Sequence, residues 1–136
     1  MDTHKCAFSH TLVAGSFGCS RASTVTKRDG PHTVCTDGTA ALRCAELFEA
    51  FKEAALPVFE VPDDLEQMPH SVPVKIQFGG LLGLQGALNP GDGGAIADIH
   101  ALVGGALRYY GDIDSIPCAD FTQIMTSYQV KRRGGR

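Results

Sequence analysis

Apolar positions recur at helical intervals over much of this chain. Between Leu42 and Ala55, the residues Cys44, Phe48, Phe51 and Ala55 are spaced four, three and four apart, which puts them on one face of a helix. The segment is rich in helix formers. Thr36 or Asp37 can cap it by accepting from an exposed backbone N–H, and Pro57 is expected to end it. A second stripe comprises Ile96, Ile99, Val103, Ala106, Leu107 and Tyr110. Asp92 is its expected cap and Gly111 its expected C-terminus. Pro117 suits the first turn of a last helix, with Phe121, Ile124, Met125 and Tyr128 on its buried face. Residues 72–88 fit two periods. Val74, Ile76 and Phe78 alternate as in a strand, whereas Ile76, Gly80, Gly83 and Leu84 fit a helix packed closely through small residues. The helix is the preferred reading.

The remaining segments are short. Residues 1–22 show no period and read as irregular. Residues 23–35 read as a β-hairpin about Asp29-Gly30-Pro31, because Asp-Gly between β-branched runs favours a tight turn. Val58–Val61 is expected to be a short strand, Asp63 to Met68 a single helical turn, and Asn89 to Gly94 a loop. The fold class is therefore mainly α (α+β): about four helices, an N-terminal irregular segment bearing cysteines, and a small β-hairpin. Residues 1–136 form a single domain in this reading, with a cysteine-rich segment at 1–44 and a mobile basic tail at 131–136. The 43% apolar fraction is enough for a core that does not depend on metal.

Charge narrows the partners. Fifteen acidic and 12 basic side chains leave a formal net charge of −3, unlike the basic footprint of a nucleic-acid-binding domain. Only the tail, Lys131 to Arg136, offers nucleic acid a cationic contact. The charge-free stretch from Ile76 to Gly91 is rich in glycine and too short to span a bilayer. The N-terminus lacks an apolar secretory core. The expectation is a cytoplasmic protein without a membrane span.

The cysteines supply the candidate chemistry. Cys6, Cys19, Cys35 and Cys44 lie in the first third of the chain, in the order C-x12-C-x15-C-x8-C, and only Cys118 follows. In a reducing compartment, grouped cysteines point to metal or redox work. Four thiolates can complete a zinc site or hold an iron–sulfur cluster. None of these pairs is the C-x2-C knuckle that brings neighbouring ligands onto one zinc ion. Ligands delivered singly reach the corners of a larger cluster more readily, so a 4Fe–4S cluster ranks above zinc, with unligated thiols as the plain alternative. Lys5, Arg21 and Arg43 lie close in sequence to Cys6, Cys19 and Cys44 and would favour thiolates. Cys35 precedes a helix N-terminus, which also favours negative sulfur. Ser9, Ser20 and Thr36 could hydrogen-bond to the sulfurs, and His4, His10 or His32 could replace one thiolate. Cys44 is the weakest of the four candidates, because its helical face would be apolar with or without metal.

Elsewhere the signals are structural. Gly79 to Gly86 matches neither the dinucleotide fingerprint nor the P-loop, and Gly80, Gly83 and Gly86 are expected to line a close helix contact. His100 reads first as a hydrogen-bonded core residue and second as a site residue. Asp112 and Asp114 are expected to solvate a turn. No catalytic signature is present, which favours a carrier or sensor over an enzyme. The leading expectation is a small iron–sulfur protein acting in electron transfer, redox sensing or as an accessory factor, with a protein or redox partner. A structural-zinc interaction module is the first alternative. A thiol-based redox enzyme, with a cysteine activated by Arg21 or Arg43, is the second. The apolar, glycine-rich middle would suit a homodimer interface.

Overall fold

The computed structural model describes residues 4–13, 17–28, 30–59, 71–89 and 96–128. Over these residues the fold is mainly helical, with one small antiparallel sheet near the N-terminus. The order is β1 (His4–Lys5), α1 (Ser9–Val13), β2 (Ala22–Lys27), β3 (Gly30–Cys35), α2 (Gly38–Phe59), α3 (Ser71–Leu88), α4 (Ile99–Tyr110) and α5 (Thr122–Ser127). Two 3-10 turns, Ile113–Ser115 and Cys118–Phe121, join α4 to α5.

The hairpin forms where expected. Lys27 pairs with Gly30 and Ala22 with Cys35. Gly30 has φ 118°, a left-handed conformation that glycine adopts without a Cβ penalty. The segment read as irregular holds more structure than its sequence shows. β1 adds a third strand on the other edge of β3, with His4 opposite Cys35 and Lys5 opposite Val34. Phe8 is fully buried beneath α1 and meets the rings of Phe48 and Phe51 edge-on. That ring anchors a stretch whose small and polar residues carry no period.

Asp37 caps α2, its Oδ1 accepting from the Ala40 N–H at 3.1 Å. The helix continues through Pro57 to Phe59, so the expected stop at Pro57 and a strand from Val58 are both corrected. Pro57 is exposed in the last turns, where its missing N–H leaves only one carbonyl without its usual donor. The turn expected at Asp63 to Met68 lies outside the described residues.

Residues 72–88 are helical, as preferred. Pro73 falls in the first turn of α3, where backbone N–H groups have no intrahelical partner to lose. Val72, Val74, Ile76, Phe78, Leu81 and Leu84 are all buried, which fits a helix enclosed on most sides. A Cβ at Gly79 would run into the Met125 backbone, and one at Gly80 into the Phe51 ring. A Cβ at Gly83 would lie 2.7 Å from Phe121. Gly80 and Gly83 thus line the close packing expected of them. Gly86 is the exception, since among the described residues a Cβ there would meet nothing within 4 Å.

The cap of α4 is Asp98, whose carboxylate accepts from the His100 N–H at 3.1 Å. Asp92, the expected cap, lies outside the described residues together with most of the 89–94 loop. Ile96 is buried ahead of the helix. Gly111 closes α4 at φ 98°, its N–H donating to the Leu107 carbonyl at 2.8 Å. Beyond Pro117 the chain makes a 3-10 turn and only then α5. Phe121 and Met125 are buried as expected. Ile124 is 40% exposed, and Tyr128 stacks on Phe78 with ring centroids 4.7 Å apart. Asp112 turns its carboxylate onto the Ser115 N–H at 2.9 Å, the turn-solvating role expected of it.

Candidate functional site

Four separate elements deliver Cys6, Cys19, Cys35 and Cys44 to one place. Cys6 follows β1, and Cys35 ends β3 at the sheet position flanked by His4 and Ala22. Cys44 lies early in α2 on the face turned to the interior. Cys19 sits in the loop before β2, and that loop is fastened to the N-terminal end of α4. Gly18 donates to the Ile96 carbonyl at 2.9 Å and accepts from the Ile99 N–H at 2.8 Å. The Ser20 N–H donates to Asp98 Oδ1 at 2.8 Å. A Cβ at residue 18 would sit 2.7 Å from the Ala97 carbonyl oxygen, so only glycine permits this approach.

All four cysteines line a single enclosed cavity of about 20 Å3, walled elsewhere by Ala22, Ala40, Ala41 and the ring of His100. That volume is near what one water molecule needs. Among the described residues, no group of three or more His, Cys, Asp or Glu side chains is arranged to hold a metal ion. The thiols therefore share a cavity wall without meeting at one coordination point.

Burial controls the protonation of Cys44 and Cys6. The Cys44 thiol is pushed up to about 12, first by desolvation and then by Cys19, Cys6 and Cys35; Arg43 opposes this with the smallest effect. Cys6 is also raised, by desolvation first and by Cys19 and Cys35, against a lowering hydrogen bond from Phe8. The expectation that flanking cations produce thiolates is corrected at these two positions. A low-dielectric wall disfavours the anion more than one nearby guanidinium favours it. Cys35 Sγ lies 3.2 Å from the Asp37 carbonyl oxygen, a contact in which a protonated thiol donates.

The surrounding polar residues divide differently from expectation. Arg21 lines the cavity and pairs with Asp37 at 3.5 Å. The Thr36 hydroxyl donates to the Arg21 carbonyl at 3.0 Å, and Ser20 is engaged with Asp98, so neither supplies the hydrogen bond to sulfur expected of it. Ser9 donates its N–H to the Cys6 carbonyl. His4 and Lys5 are exposed on β1, and His4 packs over Gly38. Neither His4 nor His32 is among the cavity-lining residues, and the side chain of His10 lies outside the described residues. The histidine that does line the cavity is His100, with its Nδ1 3.4 Å from Arg43 Nη2. Among the described residues, Arg43 Nε is buried without a hydrogen-bond partner. The sequence signal for His100 is its place beside the apolar stripe, one turn from Ile96. Cys118 is buried elsewhere, its thiol pushed up to about 11 by desolvation.

The described residues contain no helix long and apolar enough to cross a membrane. The chain matches no protein-family model, no curated protein and no solved structure.

Proposed function

We propose that Cys6, Cys19, Cys35 and Cys44 hold an iron–sulfur cluster, with 4Fe–4S the favoured type, in a reducing, cytoplasmic setting. The protein would act in electron transfer, redox sensing or as an accessory factor. The observation that carries this reading is the meeting of four cysteines, spread over 39 positions from Cys6 to Cys44, on one enclosed cavity.

Three further features support it. The donor set is all sulfur, the ligand type such clusters take. The cavity backing is small: Ala22, Ala40 and Ala41 stand where larger side chains would fill the space. Each thiol arrives singly from its own stretch of chain, with no C-x2-C pair, a delivery that suits a cluster better than one zinc ion. The present cavity is smaller than a cluster, so loading requires its wall to move outward. The Cys6 side is the least firmly held, because β1 is only two residues long.

When bound, a cluster supplies one-electron chemistry. The chain's own part is to give up the thiol protons, exclude water and offset charge. Desolvation keeps Cys6 and Cys44 protonated until a cation replaces the proton, so loading releases protons and strengthens as pH rises. Phe8 and Ile99 close the cavity on the core side, and Arg21 brings positive charge to its wall. Protein purified without oxygen should be brown, contain iron and acid-labile sulfide, and bleach with dithionite. Cys19→Ser should lose the iron, whereas Cys118→Ser should keep it. A colourless protein with one zinc per chain would transfer the site to the structural-zinc reading. A metal-free protein with one unusually reactive thiol would transfer it to the thiol enzyme.

A further inference from the structure

We infer that an open groove along the outer face of α2 is the docking surface for a protein partner bearing a basic helix with exposed leucine-like side chains. The groove has a volume of about 710 Å3 and runs between α2 and the turn that follows α4. Leu42, 71% exposed, and Ile113 supply its apolar contacts. Glu46, Glu49, Glu53 and Asp114 supply negative charge. Glu49 is paired with Lys52 at 3.2 Å. Among the described residues, Glu46, Glu53 and Asp114 take part in no ion pair.

The shape and charge select the occupant. From Leu42 to Glu53 the helix rises about 16 Å, the length of three helical turns of a partner. A groove that carries an exposed leucine beside a run of carboxylates is matched by a helix with apolar and basic side chains at helical spacing, the helix-in-groove mode of recognition. Opposed charge fields speed encounter and fix orientation. The groove also adjoins the cysteine cavity. Arg43 lines the groove and reaches His100, which lines the cavity. A docked partner would stand one helical residue from Cys44. That last point rests on the cluster reading and makes the occupant a redox partner; the docking itself does not depend on it.

The probe is a fluorescein-labelled peptide of leucines at helical spacing with lysines at all other positions, followed by fluorescence anisotropy on the full chain. Saturable binding at low salt is expected. It should weaken roughly tenfold or more in Glu46→Lys/Glu53→Lys and several-fold in Leu42→Ser, with circular dichroism and melting unchanged. A matched peptide with glutamates for lysines should not bind. No saturable binding at low salt would overturn the inference, as would equal binding by the glutamate peptide or by the doubly reversed variant. The titration is run on both metal-free and iron-loaded protein. Peptide binding by a protein that takes up no iron would keep the docking surface while removing the cluster. Iron uptake without peptide binding would do the reverse.

Discussion

Around α3, aromatic rings rest directly on glycines: Phe51 on Gly80 and Phe121 on Gly83. At the cysteine end, Cys35 packs with Ala40 and Ala41 in a small cluster separate from the main core, beside a cavity that the chain leaves unfilled. Both regions are built from small residues, but they use them to opposite effect. In the helical region, missing side chains admit a neighbour's ring, and interior density is kept. In the cysteine region, missing side chains leave room. In the function proposed above, the gap among the four thiols is the place a cluster would enter, whereas the region around α3 has no such space. It also follows that the helical core does not need that addition in order to fold.

The largest expected effect tests that independence. Phe51 is fully buried and touches both regions through Phe8 and Phe121. Phe51→Ala should cost about 3–5 kcal/mol in urea unfolding. A cost below about 1 kcal/mol would mean that the tight packing around α3 is not where stability resides. The comparison can be sharpened with pH. Below pH 9 the Cys44 thiol is protonated in both folded and unfolded chains, and its preference for the folded state is fully present. As pH rises from the ordinary thiol value of 9.0 towards about 12, the unfolded chain loses a proton that the folded chain keeps, so stability falls. In metal-free, reduced protein the loss from this group should be about 1.4 kcal/mol by pH 10. Urea titrations of wild type and Cys44→Ala at pH 8 and 10 measure it, and identical slopes would show that Cys44 is not desolvated. The smallest effect concerns the fastening of Cys19. Asp98→Ala removes the cap of α4 and the acceptor of the Ser20 N–H, for about 1 kcal/mol of stability. Hydrogen exchange should quicken at Ser20 and His100 while α3 amides stay protected.

Much of the helical frame was readable because it follows from one-dimensional spacing. The faces of α2 and α4, the hairpin turn and Gly111 all depend on neighbours within a few positions. What was not readable depends on distant ones. β1 is a strand only because the edge of β3 offers it partners. Asp92 and Asp98 are equally good caps by type, and Asp98 is the one that meets Ser20, 78 positions earlier. Pro57 does not stop α2, since an exposed last turn tolerates a lost hydrogen bond. At the candidate site, the four cysteines were legible by their grouping in the sequence. His100 reads from sequence first as a core residue, and burial of Cys44 outweighs the lowering effect of Arg43, because desolvation cannot be counted from sequence neighbours. The α2 groove is not legible in the sequence, because its second wall, the turn at Ile113, lies some 60 positions beyond Glu53.

The tie between the Cys19 loop and α4 also has a meaning in time. During synthesis the N-terminal part of a chain emerges first, at about 5–20 residues per second. The 78 positions separating Ser20 from Asp98 therefore amount to roughly 4–16 s at that pace. Cys35 and Cys44 are themselves made during this interval, and from then on all four cysteines exist in the nascent chain while Ile99 and His100, which close their cavity, are still to come. The nascent chain passes through a stage of open thiols, exposed to oxidants and to whatever metal is at hand, and the arrival of Ile96 to Ile99 marks its end.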